Sequence, residues 1–108
     1  MVFKDERRGP LKKNLRCAWA GDPAGPWQAG PQSVLKSRVE GPPVARIQGG
    51  WLVCFGHHGK PQHCGACRTA DRKRFDDVTS RMSFPPGRRH GAVVPISRQD
   101  RKRLEQLH

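Results

Sequence analysis

Between positions 54 and 67 the chain reads CFGHHGKPQHCGAC, which places three cysteines and three histidines within fourteen residues. No other stretch limits the possible folds so sharply. Thiols and imidazoles at this density share a metal, join as disulfides, or serve as ordinary side chains. Zn²⁺ is typically held by four such ligands in a tetrahedron. Two ligands separated by two residues can grip one ion from a single tight turn, and a glycine after the first ligand eases that turn. Cys64-Gly-Ala-Cys67 has this form, and Cys54-Phe-Gly-His57 has the same spacing. The pattern predicts a zinc site made by Cys54, His57, Cys64 and Cys67, with His58 as the substitute for His57. His63 is a further candidate, and Cys17 could complete an all-cysteine site at a larger loop-closure cost. The usual cysteine spacing of iron–sulfur ligation is absent, and no βαβ pattern surrounds the CxxC as it does in redox motifs. The plainer alternative leaves the histidines as polar loop residues and Cys54 as a small buried hydrophobe.

Composition explains why such a staple matters. Isoleucine, leucine, valine and phenylalanine supply only 20 of 108 residues, while 12 glycines and 10 prolines make much of the backbone turn-prone. With a net charge of +12, that balance lies close to the range of chains that cannot bury a sufficient core. A metal, a disulfide or a partner is the usual remedy in a chain this small. No apolar run approaches the roughly 20 residues that span a bilayer, and the opening MVFKDERRGPLKKNLR lacks the apolar core of a secretory leader. The expected compartment is therefore intracellular and reducing, where cysteines serve as ligands or thiols more often than as disulfides.

Along the chain, residues 1–43 read as a basic N-terminal arm followed by a Gly/Pro-rich linker, with a short helix possible over QSVLKSRVE (32–40). Residues 44–84 carry the central module. Two β-prone runs flank Gly49-Gly50, a dipeptide suited to a two-residue hairpin turn. That turn would pair Ile47 with Leu52 and Ala45 with Cys54, all on one face, with Arg46 and Gln48 on the other. After Cys67, Thr69 can cap a helix whose apolar face is Phe75, Val78 and Met82, ending before Pro85-Pro86. Residues 85–108 form a basic extension: GAVVPI (91–96) as a strand or an extended edge, then a helix capped by Ser97 and Asp100.

A hairpin, a CxxH knuckle, a CxxC knuckle and a helix, in that order over residues 44–82, resemble a compact zinc finger of the treble-clef or zinc-knuckle kind. The ligand spacing departs from the C-x2-C-x4-H-x4-C of retroviral-type knuckles, and treble clefs usually leave a longer gap between knuckles. The likeness is thus one of chemistry. It implies a small irregular α+β fold around a single zinc, with partly disordered basic arms. Hairpin, His57-His58 and helix are also roughly the ββα-metal order of HNH-type nucleases, but the Asp-His of the first strand and the central Asn of that family are missing. Four ligands within fourteen residues favour a closed structural site over a catalytic one.

The second strong signal is charge. Residues 68–108 alone hold eleven basic and five acidic side chains, and the isoelectric point is near 10.8. Distributed arginine at this pI is the footprint of a nucleic-acid binder, DNA or RNA. Arg68, Arg72, Lys73, Arg74, Arg88, Arg89, Arg101, Lys102 and Arg103 are the expected phosphate contacts. Trp27, Trp51 and Phe55 would add base stacking if exposed. A competing partner is an acidic protein surface, such as a component of RNA polymerase or the ribosome. A membrane surface fits less well, because no segment joins a basic face to a strong apolar one. The sequence reading is a non-enzymatic, zinc-stapled nucleic-acid-binding protein.

Overall fold

Val2, Phe3 and the run Leu15–Trp19 are short and β-prone, and in the computed structural model they pair with each other instead of trailing as an arm. The structure describes residues 1–7, 13–35 and 38–107. Strand β1 (Val2–Lys4) runs antiparallel to β2 (Leu15–Trp19), which pairs in turn with β3 (Gln28–Ser33) through an irregularity between Arg16 and Ala18. The segment expected to be arm and linker therefore builds a three-stranded sheet. Its anchor is Leu15, which is fully buried. Asp5 helps to close the turn: its carboxylate accepts from the Arg7 backbone and guanidinium, and its main chain bonds Lys13 and Asn14. Residues 8–12 of the expected arm lie outside the described residues, as do Lys36 and Ser37 of the helix expected over 32–40. What is described of that helix segment is extended or irregular.

The second sheet contains β4 (Val39–Glu40), β5 (Val44–Ile47), β6 (Gly50–His57), β7 (Cys64–Thr69) and β8 (Asp76–Asp77). Its order is β4-β6-β7-β8, with β5 beside β4 on the same edge of β6. Gly41-Pro42-Pro43 separates β4 from β5; prolines bring no N–H to a ladder, yet the Pro43 carbonyl accepts from Cys54 N at 3.0 Å. The β5–β6 hairpin forms, with its partners two residues from the predicted register. Ile47 pairs with Gly50, Arg46 with Trp51 and Ala45 with Leu52, so Gln48 and Gly49 make the turn. Gly49 takes the positive φ of 74° that the turn requires. Gly50 belongs to the strand, where a side chain would collide with the Thr69 carbonyl. The shift preserves parity, so Ala45, Ile47, Leu52 and Cys54 still share a face and Arg46 takes the other.

Two antiparallel sheets enclose the main core of Leu15, Val34, Val39, Val53, Phe55 and Cys67. A smaller cluster, Cys54, Ala66 and Val78 with Leu52, Met82 and Phe84, covers the other face of β6–β7. Strand β6 is thus buried on both sides, which accounts for its run of apolar residues. Phe55 alone contributes about 2–3 kcal/mol by burial, and its ring lies over Gly65 directly opposite, where an added Cβ would come within 2.5 Å of a ring carbon.

The helix predicted after Cys67 does not form. Thr69 Oγ1 accepts from Arg72 N at 2.8 Å and Asp71 Oδ1 accepts from Lys73 N and Arg74 N, so the capping bonds are made by a loop. Arg72 in that loop has a φ of 63°. The chain then lays β8 against β7 and makes a 3-10 turn at Thr79–Arg81. Phe75 joins the main core and Val78 the smaller one, on opposite sides of the sheet. Residues 91–96 form no strand and are exposed. The predicted final helix is present as α1 (Arg98–Gln106), with Ser97 Oγ accepting from Asp100 N at 3.0 Å, and none of its residues is buried. Among the described residues the fold is a small α+β protein, mostly sheet with one α-helix, and no helix is long and apolar enough to cross a membrane.

Candidate nucleic-acid interface

The β6–β7 register decides how the cysteines and histidines are placed. Gly56 pairs with Cys64, Phe55 with Gly65, Cys54 with Ala66 and Val53 with Cys67. Side chains alternate along a strand, so a three-residue step changes face. Cys54 and Cys64 therefore lie on the outer face, while His57 and Cys67 lie on the inner one. The knuckle spacing assumes turns at 54–57 and 64–67, and both are strands. His58, just past β6, sits 2.6 Å from Glu40 Oε2, a carboxylate that also receives Lys4 Nζ at 3.3 Å. His63 stacks on His57 with ring centroids 4.1 Å apart. Cys17 packs against the main core with Cys67. Burial raises the thiols of Cys17, Cys54 and Cys67, the last to about 12. Among the described residues no group of three or more His, Cys, Asp or Glu side chains is placed to hold a metal ion. The hairpin-and-helix order shared with HNH-type nucleases is not present either, because a strand and a 3-10 turn follow β7.

All nine predicted phosphate contacts are exposed. Arg74 is paired with Asp76 at 2.9 Å, Arg101 with Glu105 at 2.8 Å and Arg103 with Asp100 at 3.8 Å. Arg68, Arg72, Lys73, Arg88, Arg89 and Lys102 have no ion pair among the described residues. The nine do not converge on one patch. Arg72 and Lys73 flank a cleft, Arg88 and Arg89 lie beside Cys64 toward the far end of β6, and the remaining cations of the extension ride on α1.

The cleft lies where the two sheets part. One wall is β2 and β3, with Cys17, Trp19 and Gly30; the other is the start of β6 and the loop after β7, with Trp51, Arg72 and Phe75. It comprises a space of about 140 Å³ beside Trp51 and a larger one of about 360 Å³ beside Lys73, with Cys17, Trp19, Arg72 and Phe75 common to both. Alternation places Trp51 on the same face as Val53 and Phe55, and Trp19, 38% exposed, lines both spaces beside Cys17. Gly30 lets the Trp19 ring lie close to the backbone, and the ring N–H donates to Gln28 Oε1 at 3.3 Å. Arg46, directly opposite Trp51, holds its guanidinium 5.7 Å from the indole centroid, a cation–π contact.

Sequence reasoning missed Trp19 and Arg46. The β-prone run Leu15–Trp19 was the available signal for the first, and the corrected hairpin register is the signal for the second. Of the aromatics expected to stack, Phe55 is only 3% exposed and belongs to the core, Trp51 lines the cleft, and Trp27 is 44% exposed in the β2–β3 connection. No protein-family model, curated protein or solved structure matches this chain.

Proposed function

We propose that this protein binds nucleic acid without chemically altering it. The observation that carries the reading is a net charge of +12, presented in part by six exposed cations, Arg68, Arg72, Lys73, Arg88, Arg89 and Lys102, that have no carboxylate partner among the described residues. Cations left free of internal partners are the groups that neutralise phosphates and release counterions. A zinc ion held by Cys54, His57 or His58, Cys64 and Cys67 would require the β6–β7 register to break, so nucleic-acid binding is proposed without it.

The test is fluorescence anisotropy with labelled random-sequence strands, single and duplex, across a salt series. Six phosphate contacts predict an affinity loss on the order of 10³-fold between about 50 and 200 mM salt. Absence of binding at low salt would turn attention to a protein partner. One observation favours that second reading: α1 exposes Leu104 and Leu107, at 48% and 77%, on a helix that buries nothing.

A further inference from the structure

Resting on the nucleic-acid reading, we propose that the cleft between the two sheets is a seat for unpaired bases, so that the ligand is single-stranded. Trp51 and Trp19 supply the stacking surfaces, and Arg72 and Lys73 take the flanking phosphates.

The cleft is walled by apolar and aromatic groups and opens beside cations. A duplex keeps its base faces stacked on one another and offers such a cleft only sugar and phosphate. An unpaired base has a free π face, which stacks on an aromatic ring with little regard to sequence. Both indoles are held before any ligand arrives, Trp19 by the Gly30 backbone and Gln28, and Trp51 by the Arg46 guanidinium. Preset rings lose little freedom on binding, so contact area converts well into affinity. Charge selects the same ligand. Arg72 lines both spaces and Lys73 the larger one, and neither has an ion pair among the described residues. The carboxylate next to them, Asp71, is engaged by the backbone N–H groups of Lys73 and Arg74 and by the Thr69 hydroxyl, at 2.8, 3.0 and 3.4 Å. Cations and aromatic rings line the same spaces, so an anionic strand can meet both.

The experiment is a tryptophan-quenching titration of the full chain carrying Trp27→Phe, so that the signal comes from Trp19 and Trp51. The probes are an oligothymidylate of about 12 nucleotides, a random duplex of the same length, and polyglutamate. The expected result is quenching and tighter binding with oligothymidylate. Trp51→Leu and Trp19→Leu should each weaken it on the order of ten-fold, with Trp51→Phe retaining most of the affinity. Arg72→Gln with Lys73→Gln should lower the salt slope by roughly 1.4. If a tryptophan variant loses its native circular dichroism, the exposed Arg72/Lys73 pair decides alone. Equal affinity for strand and duplex, with the variants binding like the parent, would overturn the cleft and leave nucleic-acid binding standing. Equal quenching by polyglutamate would overturn stacking in favour of plain charge attraction. No binding of either nucleic acid at low salt would overturn both readings.

Discussion

Gly65 carries a constraint that no charge or ligand argument would have found. The Phe55 ring occupies the space its side chain would need, and Thr79 Oγ1 lies 2.8 Å from the same point. Gly65→Ala is expected to cost about 1–3 kcal/mol, the range for overpacking a filled core, measured as a drop in the urea midpoint at unchanged slope. Asp5 offers a second test. Hydrogen bonds from Arg7, with the nearby Arg16 charge, hold its carboxyl well below the ordinary carboxylate range. A depressed carboxyl stabilises the fold above its unfolded value, about pH 4, and that contribution fades as pH falls toward the folded value. Asp5→Asn should therefore lower the thermal midpoint at neutral pH, with the gap to the parent closing below about pH 4. Cysteine labelling reads the strand register directly. Cys54 and Cys67 are buried and Cys64 is half-buried at the surface, so native alkylation followed by peptide mass analysis should mark Cys64 well ahead of Cys54 and Cys67. Zinc should leave that order intact; loss of Cys64 labelling on adding zinc, with a changed far-UV spectrum, would mean that the chain can rearrange into the quartet that its spacing suggests.

At the scale of elements, what the sequence disclosed was local. The β5–β6 hairpin follows from β-prone runs around a glycine pair, and α1 follows from Ser97 and Asp100, because both signals act within a few residues. The helix expected over 70–82 rested on Phe75, Val78 and Met82 at near-helical spacing, but these side chains serve two clusters on opposite sides of a sheet. Thr69, expected to cap that helix with Asp71 in its first turn, instead joins Asp71 in closing a loop. Cys64 and Cys67 depend on the backbone in the same way, since a CxxC is a knuckle in a turn and a two-faced pair in a strand such as β7. The β1–β2–β3 sheet was illegible for a different reason: Phe3 meets Arg16, and Arg16 meets Ser33, through pairings that no local pattern announces. Because α1 buries nothing, Ser97→Ala should reduce helical circular dichroism while leaving the melting of the sheets unchanged. A lowered sheet transition would show that the helix is packed in solution.

Across the whole molecule, the charge was legible and its destination was not. Nine cations could be named from sequence, but only the fold shows three of them answered by carboxylates and two lining an aromatic cleft. The margins of the second sheet have a further consequence. One border is β4 and β5, two and four residues long and parted by Pro42 and Pro43; the other is β8, only two residues long. Neither offers an unbroken row of free amides on which a second chain could lay a strand. In a chain with so few core residues, the borders of this sheet give strand addition no template, whereas β3, six residues long, borders the first sheet.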